Sequence, residues 1–133
     1  IYVRPETMEL KKKFGEVDEV IKLSQELENV LPAIDFAHLR FRNNRNDVEY
    51  FREILEKIEN NLGREALDNM HIHISGIILD NKGTHCNLEE SDMPWQDILK
   101  LLKEFNVKGI IISESPNIEG DAIKMRDYYK KLK

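Results

Sequence analysis

The stretch MHIHIS, residues 70–75, places two of the four histidines of the sequence inside a short apolar run. His71 and His73 alternate with isoleucines, and this period of two is typical of a β-strand. Both imidazoles therefore lie on one face of the strand. Either the two histidines pack there by coincidence, or the strand ends at a metal site. The rest of the sequence decides between these readings.

Composition limits the class of protein. The 133 residues suit one domain, and 41% hydrophobic with 34% charged residues is typical of a globular protein. No apolar run approaches the roughly 18 residues of a membrane span, so we expect no membrane partner and no secretory signal. The only cysteine, Cys86, cannot form an internal disulfide, so we expect a reducing, cytoplasmic location. The net charge of −5 argues against broad nonspecific binding to nucleic acid, but it permits a local basic patch.

Four strand–helix units follow one another along the chain. Strands alternating with helices predict a parallel sheet with right-handed crossovers, and thus an α/β fold. Two architectures fit this order: an open doubly wound sheet, or part of an eight-stranded βα barrel. The predicted strands are 1–5, 30–36, 70–75 and 109–114, and the predicted helices are 15–29, 47–62, 94–105 and 120–132.

Four βα units are half of an eight-stranded barrel. A half-barrel cannot close on itself, and it leaves two unpaired strand edges and an exposed inner face. We therefore expect residues 1–133 to form a single half-barrel domain that belongs to a longer chain or pairs with a second copy of itself.

Polar residues collect where the predicted strands end. Ligands of parallel α/β proteins bind at this edge, and imidazole with carboxylate is the donor mix of zinc, manganese or iron sites. Taken singly, each residue has a plain explanation as a cap, a salt bridge or a hydrogen-bonded histidine. Together they favour a metal site, because carboxylates buried without cations are costly. The residues are Glu6, Asp35, His38, His71, His73, His85 and Glu114.

The segment RFRNNRND, residues 40–47, is predicted to be a polar, basic loop after the second strand. Its arginines, Arg40, Arg42 and Arg45, are either solvated or contact phosphate at the mouth of the site. Other chemistries have little support, because there is no P-loop, GxGxxG or GxSxG motif. The adjacency of His85 and Cys86 in sequence does not make a catalytic pair.

Five motifs together resemble the C-terminal half of the endonuclease IV family of apurinic/apyrimidinic endonucleases, which are xylose-isomerase-like TIM barrels. The resemblance extends over nearly the whole chain and rests on the order and spacing of the motifs. It implies that the four units are strands five to eight of a family barrel. The motifs are RPET (4–7), IDFAHLRF (34–41), HIHIS (71–75), GTHCNLEES (83–91) and IIISESP (110–116).

The resemblance also implies a zinc centre of two to three ions in a full-length family member, with manganese or magnesium as alternatives. In it His71 is the counterpart of the family ligand, and His73 and Asp80 lie in an outer shell. Gly83 stands where the family has the carboxylate ligand of the third zinc, which puts that site in question. The implied metal ligands are Glu6, Asp35, His38, His71, His85 and Glu114.

The activity implied by the resemblance is hydrolysis of a phosphodiester at abasic sites in DNA. Glu6 and Glu114 would be catalytic, and Arg40, Arg42 and Arg45 would contact the DNA. A sugar isomerase or epimerase of the same superfamily is the first alternative, because one divalent metal on the strand-end carboxylates would serve it equally well. The second alternative is a half-barrel fragment without catalysis.

Overall fold

A computed structural model describes residues 1–133. Three strands form a parallel sheet in the order β1 (Ala33–Asp35), β2 (Met70–Ile74) and β5 (Gly109–Ser113). Helices connect the strands and cover one face of the sheet, where 25 buried apolar residues form the core. The predicted α/β class with a parallel sheet is confirmed, and it is consistent with half of a TIM barrel.

The four predicted helices are present; the first three are shorter than predicted, and the fourth is shifted by one residue toward the N-terminus. Each presents its apolar stripe to the core, as the 3.6-residue period requires. Asp47 caps the second of them by accepting a hydrogen bond from Tyr50 N at 3.1 Å, and this helix ends at Gly63. Their bounds are α1 (Val17–Glu26), α3 (Val48–Leu62), α5 (Trp95–Glu104) and α6 (Glu119–Lys131).

The first predicted strand, residues 1–5, is present only as two isolated parallel bridges, Val3 with Val30 and Glu6 with Ala33. Pro5 has no N–H to donate between the hydrogen bonds of Val3 N and Thr7 N, so a continuous ladder cannot form here. The segment still runs alongside β1 and brings Glu6 to its carboxyl end.

Several short elements were not predicted. They comprise α2 (Phe36–Asn43), α4 (Arg64–Leu67), a hairpin of β3 (Gly76–Ile77) and β4 (His85–Cys86), and a 3₁₀ turn (Leu88–Glu90). Helix α2 begins directly after β1, so the prediction of a loop over residues 40–47 is wrong for residues 40–43. It is buried on nearly every side, so its apolar residues show no helical period to detect.

Strand β5 is an edge strand of the sheet, with no strand paired to its far side. Ile110 is 58% exposed, and Ile111 and Ile112 are each 39% exposed, whereas alternate residues of the central strand β2 are buried. At the opposite edge Ile1 and Val3 are also exposed. No helix combines the length and apolar character that crossing a bilayer requires.

Candidate metal centre

The carboxyl ends of the strands bring four side chains together as a central group: Glu6, Asp35, His73 and Glu114. Their potential ligand atoms all lie within 4.8 Å of one another. His73 Nδ1 lies 2.5 Å from Glu114 Oε1, 3.4 Å from Glu6 Oε2 and 3.7 Å from Asp35 Oδ2. Three carboxylates thus converge on one ring nitrogen.

Buried atoms without hydrogen-bond partners mark the middle of this group. They are Asp35 Oδ2, His73 Nδ1 and Glu114 Oε1. The last two are 2.5 Å apart, but their orientation does not make a hydrogen bond. Buried polar atoms are almost always partnered, and each orphan costs roughly 1–3 kcal/mol. A divalent cation would satisfy all three atoms, so these residues fit a metal such as zinc or manganese.

The structure reverses the expected order of the two strand histidines. His73, and not His71, belongs to the central group. The register explains this: His73 pairs with Asp35 at the end of β1, whereas His71 pairs with Ala33, two residues (roughly 6.6 Å) further down the strand. His71 instead contacts the ring of His73, with the two Nε2 atoms 3.1 Å apart.

A second group contains Asp35, His38 and His85. Asp35 is the N-cap of α2 and accepts a hydrogen bond from His38 N at 2.9 Å, so one carboxylate both starts the helix and serves the site. His38 was expected in a loop but lies in the first turn of α2. His85 comes from β4, and its Nε2 lies 3.1 Å from His38 Nε2.

The carboxylates and imidazoles of the two groups shift each other's pKa values toward the charged forms. The rings of His38 and His73 hold the pKa of Glu6 well below its usual range. Burial lowers the pKa of His38, but Glu6 and the charge of Asp35 outweigh it and raise the value to about 9. The nearby carboxylates of Asp35 and then Glu6 raise the pKa of His73 to about 10. Without metal, two imidazolium cations therefore balance the carboxylates, and metal must displace those protons to bind.

Three residues support the site without having been singled out from the sequence. Thr7 is fully buried; its hydroxyl accepts from Asp35 N at 2.9 Å, and its carbonyl accepts from His38 Nδ1 at 2.8 Å. Ser75 Oγ lies 2.5 Å from His85 Nδ1. Glu9 Oε2 lies 3.9 Å from His38 Nε2. Thr7 directly follows the predicted ligand Glu6, and Ser75 lies two residues after His73, which was predicted for the outer shell; that proximity was the available signal.

Other predicted residues lie away from both groups. Asp80 is exposed and accepts hydrogen bonds from the backbone of Lys82 and Gly83, so it shapes the β3–β4 loop and has no place in the outer shell. Its pKa is lowered by these backbone hydrogen bonds.

The three arginines hold parts of the fold together. Arg40 is buried on α2 and pairs with Asp92, with Nη2 to Oδ2 at 2.8 Å. Arg42, also buried, donates to the carbonyls of the loop after Glu6 and pairs with Glu16 at 3.1 Å. Arg45 is half-buried and pairs with Asp47 at 2.7 Å. The first two guanidinium groups are therefore committed to internal partners.

A parallel βα arrangement with candidate metal ligands at the carboxyl ends of the strands is typical of βα-barrel proteins. The chain belongs to the xylose isomerase-like TIM barrel family, whose model matches residues 1–132. It is 46% identical over 136 residues to an uncharacterized protein of Methanocaldococcus jannaschii. That match covers 99% of this chain and 50% of the relative, so the chain spans about half of the relative's length.

Proposed function

We propose that residues 1–133 supply the larger part of a multinuclear metal centre in a phosphodiester hydrolase that acts at abasic sites in DNA, as endonuclease IV does. The observation that carries this proposal is that the two ligand groups are contiguous and share Asp35. Neighbouring cations are the arrangement that hydrolases use to hold both the attacking and the leaving oxygen of a phosphodiester.

Glu6 lies between the two groups. Its Oε2 lies 3.2 Å from His38 Nδ1 and 3.4 Å from His73 Nδ1. Asp35 Oδ2 is similarly placed, 3.5 Å and 3.7 Å from the same atoms. These two carboxylates would hold the central ion together with His73 and Glu114, and their charge would act on the second group through the His38 ring.

Divalent cations at this centre would supply Lewis acidity toward a phosphoryl oxygen. The protein's own residues set up that chemistry. Thr7 fixes the end of β1 and so aims Asp35, while the neighbouring β2 places His73 beside Glu114. Glu114, about one-third exposed, is the member of the central group best placed to orient a substrate or water arriving from solvent.

The open β5 edge gives the proposal a structural consequence. We assign its partner as the other half of a longer chain, because the relative that this chain matches is about twice as long. Such a half would pair with β5, cover Ile110 to Ile112 and contribute further ligands. Burying these three side chains would stabilise the joined barrel by several kcal/mol, at about 25 cal/mol per Å² of apolar surface.

The proposal is tested with a protein of the relative's full length that contains these residues. After dialysis with zinc, it should hold at least two ions by mass spectrometry and cleave a duplex with one abasic site, while leaving the undamaged duplex intact. His73→Ala should remove the central ion and the cleavage together, and the exposed-site variant Glu89→Gln should change neither. A metal-loaded protein that leaves abasic DNA uncut would contradict the proposal.

A sugar isomerase or epimerase is the second candidate. The observation in its favour is that the central group can hold one divalent ion by itself, while Arg40 and Arg42 are committed to internal partners instead of a DNA surface. A single exchangeable manganese or cobalt ion, with interconversion of an aldose and a ketose, would support this reading. The same assays on residues 1–133 alone test the remaining reading, a half-barrel without catalysis.

A further inference from the structure

The two histidines of the second group face each other through the same ring nitrogen. His38 Nε2 and His85 Nε2 are 3.1 Å apart. The outer nitrogen of each ring is already engaged. His38 Nδ1 lies 2.8 Å from the Thr7 carbonyl, which can only accept, so Nδ1 carries a proton. Ser75 Oγ donates to the Gly76 carbonyl at 2.9 Å, and it therefore accepts from His85 Nδ1.

Both outer nitrogens are therefore donors, and in neutral rings both Nε2 atoms present lone pairs to each other. Two such lone pairs at 3.1 Å repel unless a cation lies between them. A proton can fill that role, and so can a metal. Two imidazoles on a tetrahedral zinc, with Zn–N of about 2.0–2.1 Å, place their nitrogens about 3.3 Å apart. The observed spacing fits, and outer hydrogen bonds that fix the tautomer are a usual feature of metal-binding histidines.

A metal at this position needs a further ligand on the Nε2 side of His38. Asp35 and Glu6 approach the ring on its other side, with oxygens 3.5 Å and 3.2 Å from Nδ1. Glu9 is on the required side, with Oε2 3.9 Å from Nε2. Its side chain is only 11% exposed, and Lys13 binds the other oxygen, Oε1, at 2.7 Å. Oε2 is therefore the oxygen that faces His38 Nε2, and Lys13 does not engage it.

The space around Gly83 points to the same residue. A Cβ added at Gly83 would meet Glu9 Cγ at 3.2 Å and the Phe41 ring at 3.1 Å. The volume that a side chain at position 83 would enter is thus already filled, in part by Glu9. Glu9 therefore brings a carboxylate from the loop after Glu6 to the hairpin that carries His85.

We propose that Glu9 is the third protein ligand, with His38 and His85, of a second divalent-metal site that takes zinc. This inference rests on the proposed function, since it sets the number of ions that the centre holds. A small side-chain rotation that shortens the 3.9 Å separation by about 0.6 Å would bring Oε2 to the ligand spacing of a zinc site. A fourth position would remain for solvent or substrate.

The test measures metal content and affinity. The intact protein, its Glu9→Gln variant and the Glu89→Gln control are dialysed against zinc, counted by mass spectrometry, and titrated with cobalt(II) to record the absorption of a tetrahedral site. Glu9→Gln keeps the side-chain shape and an oxygen for Lys13, so the fold should survive, which a thermal melt verifies. We expect it to lose one ion, or to bind that ion at least about 10–100-fold more weakly, as removal of even an outer-shell partner does. Glu89→Gln should match the wild type.

A second test moves the carboxylate from position 9 to position 83. Glu9→Ala empties the space beside Gly83, and Gly83→Asp added to it returns a carboxylate to that position; aspartate tolerates the φ of +70° there better than most residues. We expect Glu9→Ala to lose the second ion and the double variant to recover it.

The outcomes separate this inference from the proposed function. If Glu9→Gln keeps the wild-type ion count and affinity, the assignment of Glu9 is overturned. If the protein holds a single ion that His73→Ala removes and His85→Ala does not, the second site is overturned while the central centre stands. If no zinc binds at all, both fall.

Discussion

The central and second ligand groups are built in different ways. The central group draws Glu6, Asp35, His73 and Glu114 from four neighbouring chain segments of the sheet, one each. Sheet register alone brings these side chains together. The second group draws His38 from a helix and His85 from a two-residue strand, and it depends on the hydrogen bonds that these histidines donate to the Thr7 carbonyl and to Ser75 Oγ.

The two groups differ in how easily a ligand can be replaced. A ligand whose position is set by strand register cannot be replaced by a residue from another segment unless a strand moves. A ligand that a loop supplies can be replaced from another segment, as we propose for Glu9, which packs beside Gly83. We therefore expect the central group to respond to substitution in an all-or-none way, and the second group in graded steps.

The largest expected effect is at Asp35, because it belongs to both groups. Asp35→Asn keeps an oxygen to cap α2 through His38 N but removes the charge. We expect loss of the central ion and weaker binding of the second, which would lie on the Nε2 side of His38, away from Asp35, while the melting temperature of the metal-free protein changes little. Asp35→Ala also removes the cap, which adds a loss of about 0.5–2 kcal/mol in unfolding free energy. Metal analysis with thermal melts of the metal-free forms separates the two effects. Retention of both ions in Asp35→Asn would contradict the shared role.

His73 and His71 are a matched pair on one face of β2. His73→Ala should abolish binding of the central ion, because its Nδ1 lies among three carboxylates. His71→Ala should keep the ion count and weaken affinity by at most about 10–100-fold, since His71 only contacts the outer nitrogen of His73. Isothermal titration with zinc gives the number of bound ions and their affinity for each variant. The reverse result would restore the sequence-based assignment of His71 as the ligand.

Ser75→Ala tests the graded behaviour of the second group. The substitution removes the acceptor for His85 Nδ1 and leaves every ligand in place. We expect the second ion to bind about 10–100-fold more weakly while the central ion is unaffected. Competition with a chelator of known zinc affinity resolves the two ions. Equal weakening of both would mean that the groups are not separable.

The smallest effect concerns pH and the metal-free protein. The pKa values of His38 and His73 are raised from 6.5 to about 9 and about 10, so their stabilising contribution is complete below pH 6.5 and is lost as pH rises through those values. The lowered pKa of Glu6 acts oppositely, with stability lost on acidification below its ordinary value of 4.5. With chelator, the melting temperature should therefore fall from pH 6.5 to 10.

Zinc should remove this alkaline loss, because a bound metal replaces the protons that the histidines hold. Melts at matched pH, with zinc and with chelator, check the prediction. Identical pH profiles in the two conditions would show that these histidines carry no metal.

Much of the fold followed from the periodicity of the sequence. The stripes of α3 and α5, and the alternation in MHIHIS, identify their elements because each faces a core on one side and solvent or a cavity on the other. Helix α2 was missed because burial around most of its circumference removes that signal. Residues 1–5 form only bridges, because Pro5 interrupts a ladder that the β-branched composition favoured.

The candidate site was also partly predictable. Glu6, Asp35, His38, His85 and Glu114 were named from their places after strands, and the structure brings them together in the two groups. Alternation placed His71 and His73 on one face, but it could not say which of them reaches the carboxyl end. That choice depends on the pairing of β2 with β1, which is a long-range property.

The arginines show the same limit of prediction from sequence, here for charged residues. RFRNNRND has the composition of a basic surface loop, yet Arg40 and Arg42 point inward to Asp92 and Glu16, which are distant in sequence. The composition shows which charged residues are present, but it does not show which residues they pair with.

By itself, then, the sequence determined the strand–helix order, the parallel sheet and a rim rich in carboxylates and imidazoles, because these depend on local periodicity and on the shared direction of parallel strands. Only the tertiary structure decided that His73 takes the central place, that Glu9 reaches toward His38, and that two of the arginines are structural. These outcomes depend on register and on contacts between segments tens of residues apart, where differences of a few ångströms decide which atom meets which.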